Sequence, residues 1–268
     1  MNVAVVGHVE WIEFVRVDHI PQRGEIVHAG ETWCEAAGGG AVAAVQLARL
    51  AGSSTLFTAI GDDELGRKIV PELERHGVTV HAAVRREPQR RGFTYIDSGG
   101  ERTITVIGER LGPRRSDDLP WGELAEADGV YFVSGDAAAL KAAREAKVLV
   151  ATARSLATLA EARVELDALV RSRNDEGETY RPGDLEPPPR TDVATAGSHG
   201  GTFTPVGGAP THFPPAAPGP LQDTYGAGDS FAAGLTFGLA EGLPMDEAVA
   251  LASRSGAAAL RRRGAHGA

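Results

Sequence analysis

Short apolar runs alternate with helix-patterned stretches along most of the chain, and this alternation limits the fold more than any other feature. Residues 2–7 (NVAVVG) form an apolar run closed by glycine, the pattern of a strand covered on both faces at the start of an α/β sheet. Residues 38–51 place glycines at a helix entrance and set Val42, Val45, Leu47 and Leu50 near helical spacing. A strand over Leu56–Ile60, a helix over Glu64–His76 and a strand over Val78–Val84 continue the rhythm. It resumes with strands at 129–134, 148–151 and 166–170 and helices at 137–146 and 156–162. Strands joined through helices predict a mostly parallel sheet flanked by helices.

Two segments break the pattern. Trp11–Cys34 alternates around the turn Pro21-Gln-Arg-Gly24, and Arg90–Ile107 alternates across Ser98-Gly-Gly100, so both read as exposed hairpins. Residues 177–190 hold too many prolines for a helix or a central strand and are expected to be loop. Strands are expected at Asp192–Ala196 and Thr202–Val206, separated by Gly197-Ser-His-Gly-Gly201, followed by helices over Asp229–Gly242 and Asp246–Arg263.

With 268 residues, 42% hydrophobic and 24% charged, the chain is expected to form one domain over 1–268 and not a disordered or disulfide-built one. The 36 acids outnumber the 27 bases, which argues against nucleic acid as a partner. Charges, glycines and prolines interrupt every apolar run, so no membrane span is expected. Cys34 is the single cysteine and no basic region precedes an apolar leader, so the expected compartment is the cytoplasm.

The segment richest in chemistry is Asp223-Thr-Tyr-Gly-Ala-Gly-Asp-Ser-Phe-Ala-Ala-Gly234. Gly226, Ala227 and Gly228 precede an apolar helix, so their amides can converge on an anion with the positive helix end behind them. Asp229 would stand beside that anion, where like charges repel; a carboxylate there is better explained as the acceptor of a proton from an attacking hydroxyl. Taken alone, the segment also fits an aspartate capping a helix after a glycine turn. Competing motifs fail. Gly61-Asp-Asp-Glu-Leu-Gly-Arg-Lys68 sets acids where phosphate would lie and lacks the Ser or Thr of a P-loop. The stretch before Gly226 is a poor buried strand for a dinucleotide fingerprint, the histidines have no metal-binding spacing, and no GxSxG elbow is present.

The run DTYGAGDSFAAG resembles the C-terminal signature of the ribokinase-like (PfkB) carbohydrate kinases, whose pattern is DTxGAGD. Ala37-Gly-Gly-Gly-Ala-Val-Ala-Ala44, followed by Ala48-Arg-Leu50, resembles the family's N-terminal signature, and Gly61-Asp-Asp63 with Gly66 matches another family segment. The resemblance covers almost the whole chain. It implies a three-layer α/β sandwich with a small β lid, formed by the hairpins 11–35 and 85–107. It also implies ATP-dependent transfer of the γ-phosphoryl group to a hydroxyl of a small sugar or related polyol, with Mg²⁺ as cofactor and K⁺ as a further candidate; because exposed lid edges commonly pair, a dimer through the hairpins is expected. A nucleoside or vitamin kinase of the same fold, and a non-catalytic sugar or nucleotide sensor, are the alternatives.

Carried over by position, Asp229 is similar to the catalytic base, and Gly226, Ala227 and Gly228 to the anion hole. On the ATP side the resemblance points to Thr195, Gly197, Gly200, Gly201, Thr224, Gly226 and Gly228. Asp223 falls where a monovalent cation is often held, and Glu178 where an acid meets magnesium through water. On the acceptor side it implies Glu10, Gly38, Gly39, Gly40, Val42 and Arg102, with Arg154 after the strand 148–151 as a polar substrate-side or capping residue. Val42, Glu10 and Ile12 stand where the family usually has Asn, Asn and Asp, so the sugar contacts are expected to be rewritten. His8, Glu10 and Ile12 share one side of an extended segment, and a carboxylate at Glu10 favours an unphosphorylated acceptor, whereas Arg86, Arg90, Arg91 and Arg102 offer sites for an anion.

Overall fold

The computed structural model describes residues 1–217 and 219–267. The first sheet is built around β1 (Val3–Val6), β4 (Ser54–Gly61), β5 (Val78–Arg85), β8 (Gly129–Phe132), β9 (Val148–Thr152), β10 (Ala168–Ser172) and β11 (Thr191–Thr195). These seven run parallel, and β12 (Gly201–Pro205) and β13 (Thr211–Phe213) extend the sheet antiparallel at one edge, giving the order β13-β12-β11-β10-β9-β8-β1-β4-β5. Val3–Val6 is buried throughout, as its unbroken apolar run requires of a central parallel strand.

Helices cover the two faces. α1 (Gly39–Ala51), α5 (Ala227–Ala240) and α6 (Met245–Ala259) pack with one apolar cluster, and α3 (Ala137–Ala143) and α4 (Leu156–Ala162) with a second; α2 (Glu64–Glu74) covers β4 and β5. Small residues set how closely these elements approach. A Cβ on Gly40 would lie 2.5 Å from the His8 carbonyl oxygen, and one on Gly234 would lie 2.6 Å from Ser255 Oγ, so α1 rides directly on the chain leaving β1 and α5 on α6. Asp63 caps α2 by accepting from the Gly66 amide at 2.8 Å and also accepts from the Gln89 amide at 2.8 Å, so the Gly61–Gly66 segment braces the chain where it departs for the second sheet.

That second sheet joins both excursions. β2 (Glu10–Arg16) and β3 (Glu31–Ala37) pair antiparallel, as do β6 (Arg91–Ile96) and β7 (Arg102–Ile107), and β2 pairs β6 in parallel to give β3-β2-β6-β7. Some boundaries differ from expectation. β5 runs to Arg85, so the second hairpin begins later than position 85; α5 starts two residues before Asp229; and β13 arises in the proline-rich stretch after Val206, where its three residues pair at a sheet edge. No helix among the described residues is long and apolar enough to cross a membrane.

Candidate active site

The parallel strands deliver their carboxyl ends to one edge, the usual place for a ligand crevice in an open α/β sheet. β1 leads to His8, β8 to Ser134, β9 to Arg154 and β10 towards Glu178, while β2 begins at Glu10. α5 starts at the same edge. Gly226 is its N-cap with φ 72°, a left-handed conformation, and a Cβ there would lie 2.8 Å from Val42 Cγ1. Among the described residues, the amides of Ala227, Gly228 and Asp229 donate to no group, and nothing lies within 4 Å of a Cβ on Gly228, so the helix mouth opens onto free space.

Asp229, in the first turn of α5, is half-buried, with Oδ1 against Gly39 at the start of α1. Burial raises its pKa to about 6; Glu178 pushes it further the same way, Arg154 and Arg102 oppose, and Glu10 adds to the rise. Glu178 is itself held by Arg154, whose Nε lies 2.8 Å from its Oε1, and accepts from the Ser172 amide at 2.6 Å. Burial raises its pKa and Arg154 counters. Arg154 also pairs with Asp175. Asn174 comes beside the 197 turn, its Nδ2 3.7 Å from a Cβ on Gly197.

The glycines of the first signature pack beside Glu10, His8 and Tyr225. The Gly38 amide donates to Tyr225 Oη at 3.2 Å, a Cβ on Gly38 would meet Glu10 Cγ at 3.1 Å, and the Gly40 amide donates to the His8 carbonyl at 3.1 Å. Glu10 is buried, 2.7 Å from Arg90 Nε and 3.6 Å from His8 Nε2; burial raises its pKa and Arg90 and Arg110 oppose. His8 Nδ1 is 3.1 Å from Ser134 Oγ.

The other expected positions lie further out or serve packing. Val42 is 2% exposed and sits in the cluster of Ile12, Phe14, Ile96 and Tyr225 beneath Gly226, so its side chain supports the helix mouth from below. Arg102 Nη1 donates to the Thr224 carbonyl at 2.8 Å, and Thr224 Oγ1 donates to Glu101 Oε1 at 2.8 Å, which pins the tip of the β6–β7 hairpin to the loop before α5. Asp223 is fully buried and accepts from the amides of Tyr225 at 2.9 Å and Gly264 at 2.7 Å. Gly197 is exposed in a 3-10 turn, whereas Gly200, with φ 75°, and Gly201 are buried against β13; Thr195 Oγ1 donates to the Arg171 carbonyl at 3.3 Å. Sequence reasoning missed His8 and Ser134 as a buried pair, Tyr131 beside Asp229 and Glu178, and Arg110, none of which lies in a motif.

Among the described residues, no group of three or more His, Cys, Asp or Glu is arranged to hold a metal directly. Both Glu178 oxygens are already engaged, a set that suits an outer-shell, water-mediated contact with Mg²⁺ carried in on phosphates.

The profile described as pfkB family carbohydrate kinase matches residues 1–181 and 165–268. The ATP-dependent ribose-1-phosphate kinase of Halopiger xanaduensis is 31% identical over 303 residues, covering 100% of this chain and 95% of that one. Ribokinase of Dictyostelium discoideum is 28% identical over 109 residues, which span 40% of this chain and 34% of that enzyme. The structure of Arabidopsis thaliana ribokinase complexed with ribose and ATP superposes with a TM-score of 0.75 at 20% identity, covering 98% of this chain and 93% of that one, a likeness of fold. The chain, matched from end to end, belongs to the pfkB family of carbohydrate kinases.

Proposed function

We propose that the protein transfers the γ-phosphoryl group of ATP to a hydroxyl of a small sugar or related polyol. Asp229 takes the hydroxyl proton on a carboxylate oxygen, the freed oxygen bonds to the γ-phosphorus, and ADP leaves with the bridging oxygen. The observation that carries this reading is the pairing of a carboxylate whose pKa is raised to about 6 with unengaged amides on the same helix mouth. An ionised base titrating just below neutrality is matched to proton abstraction near pH 7. Ala227 and Gly228 offer amides to the transferring phosphoryl oxygens, and Glu178 would orient a water of the Mg²⁺ that neutralises the ATP phosphates. Thr195, Gly197, Gly200, Gly201 and Thr224 would border the ATP side; Asp223 is fully buried and its two oxygens accept from the Tyr225 and Gly264 amides, a set that holds the loop before α5 and does not suit a monovalent cation. The relatives' own names support the reading, since they include a ribokinase and a ribose-1-phosphate kinase.

The second sheet, as a lid, would exclude water during transfer. Ile104, Val106 and Ile107 on its edge strand β7 are 39%, 44% and 44% exposed, which favours a dimer through the lids; gel filtration at micromolar concentration tests it. Release of ADP in the presence of ATP, Mg²⁺ and a panel of sugars, sugar phosphates and nucleosides tests the kinase reading. Turnover confined to nucleosides would select the nucleoside kinase, and ADP at background with every acceptor would select the sensor.

A further inference from the structure

Three guanidiniums from separate segments reach the acceptor side of the site. Arg90 lies just before β6, Arg110 in the connection after β7, and Arg154 just after β9. Arg110, Arg154 and Ser134 line one cleft of about 520 Å³. Ser134, His8, Glu10 and Arg90 form a chain, with separations of 3.1, 3.6 and 2.7 Å. His8 therefore links the cleft wall to Arg90. The same three arginines act together on His8: its pKa falls to about 3, through burial first and then through Arg110, Arg90 and Arg154. The imidazole is thus neutral, and no cation is needed from it.

The balance of charge separates the three. Arg90 is answered by Glu10, and Arg154 by Glu178 and Asp175. Arg110, exposed at the mouth of the cleft, has no hydrogen bond or ion pair among the described residues; partial desolvation and the positive Arg90 and Arg154 lower its pKa, and Glu10 opposes them. The acids on the same wall form no ion pair with it: Asp136 caps α3 and accepts from the Arg115 amide, and neither Glu87 nor Glu109 comes within ion-pair distance of it. An anion entering the cleft would give that cation a charged hydrogen-bond partner, which a neutral sugar cannot. Guanidiniums that enter from three segments and all act on His8 suit a phosphate with three terminal oxygens; a carboxylate is satisfied by one planar fork.

Resting on the kinase reading, we infer that the acceptor itself carries a phosphate ester, seated among Arg90, Arg110 and Arg154, while one of its hydroxyls faces Asp229. Glu10 does not oppose this, because Arg90 holds it and it remains free to accept from a sugar hydroxyl. Arg110 is the specificity-determining residue. The transfer then yields a doubly phosphorylated sugar and ADP, with the acceptor's own phosphate ester unchanged.

The test compares ADP release with ribose, ribose 1-phosphate, ribose 5-phosphate and gluconate, alongside the thermal unfolding midpoint in the presence of each. A pentose phosphate is expected to exceed ribose in kcat/KM by about tenfold or more, the worth of one hydrogen bond to a charged group. Arg110→Gln is expected to raise KM for that phosphate by about tenfold while kcat changes far less, and Arg110→Lys to restore part of the loss. Preference for ribose or gluconate over both phosphates would overturn the inference and leave the kinase reading intact. If no acceptor yields ADP, the kinase reading fails alone provided a pentose phosphate raises the unfolding midpoint and Arg110→Gln abolishes that rise; without the rise, both fail.

Discussion

Asp229 Oδ1 lies 2.9 Å from the point where a side chain on Gly39 would begin, so the carboxylate at the start of one helix rests on the bare first residue of another. Val133 Cγ1 closes the same space at 3.0 Å, leaving a methyl group no room unless the carboxylate moves. Gly39→Ala is therefore expected to displace the base and lower kcat by about 100-fold, the cost of a misplacement near 1 Å. Gly228→Ala makes the contrast, because its Cβ meets nothing within 4 Å. Its methyl would occupy the open space at the helix mouth, so KM for ATP should rise while the unfolding midpoint stays at the wild-type value. Steady-state kinetics with a thermal melt of each variant checks both outcomes.

Replacing the proposed base, Asp229, separates proton transfer from binding. Asp229→Asn keeps the shape and removes the proton acceptor, so kcat is expected to fall by about 10²–10⁴-fold. ADP should still bind, since the amides of Ala227 and Gly228 are untouched. Unaltered turnover in this variant would remove Asp229 from the chemistry.

The pH profile follows from what surrounds this carboxylate. A base with a pKa of about 6 must be ionised to act, so kcat/KM should fall as pH drops through that value. Glu178 raises the pKa of Asp229, so Glu178→Gln is expected to move this limb to lower pH. A limb that stays in place when Glu178 is neutralised would belong to another group. Any loss of magnesium organisation in the variant appears separately, as a higher Mg²⁺ requirement.

Much of this site was legible in the sequence because its parts are local. The order Gly226-Ala-Gly228-Asp229 before an apolar helix fixes the relation of amides to carboxylate through helix geometry alone, and the alternation of Arg91–Ile96 with Arg102–Ile107 fixes a hairpin. What could not be read depends on distant segments. Val42 stands in the glycine signature yet faces inward, because a left-handed Gly226 comes down on it from nearly two hundred residues away in sequence. Arg102 is drawn from the acceptor to the Thr224 carbonyl by the docking of the hairpin tip. Arg110 lacks any motif, and its meaning appears only when Arg90 and Arg154 arrive from two other connections.

The C-terminal segment supplies a prediction about stability. His266 is buried, and its Nε2 lies 2.6 Å from the Ala36 carbonyl, so Nε2 carries the proton; Nδ1 has no partner among the described residues, and protonating it would bury a charge. Burial accordingly lowers its pKa from 6.5 to about 3, even though the Ala36 bond acts the other way. Between those values the unfolded chain holds a proton that the folded chain refuses, so this contribution is complete above 6.5 and is lost as pH falls towards 3. Glu35 acts oppositely in the same knot, where it accepts from the amides of Ala265 at 2.7 Å and His266 at 3.2 Å. Burial raises its pKa from 4.5 to about 7, so its contribution declines as pH rises across that interval. The two slopes oppose one another where the intervals overlap. His266→Gln keeps a donor for Ala36 and removes the titrating ring, so acidification from pH 6.5 to 4.5 should cost the variant less than the wild type, by up to about 1.4 kcal/mol per pH unit. Urea unfolding at several pH values in this range reads the difference directly, and parallel curves for the two proteins would show that the ring takes up its proton without unfolding the knot.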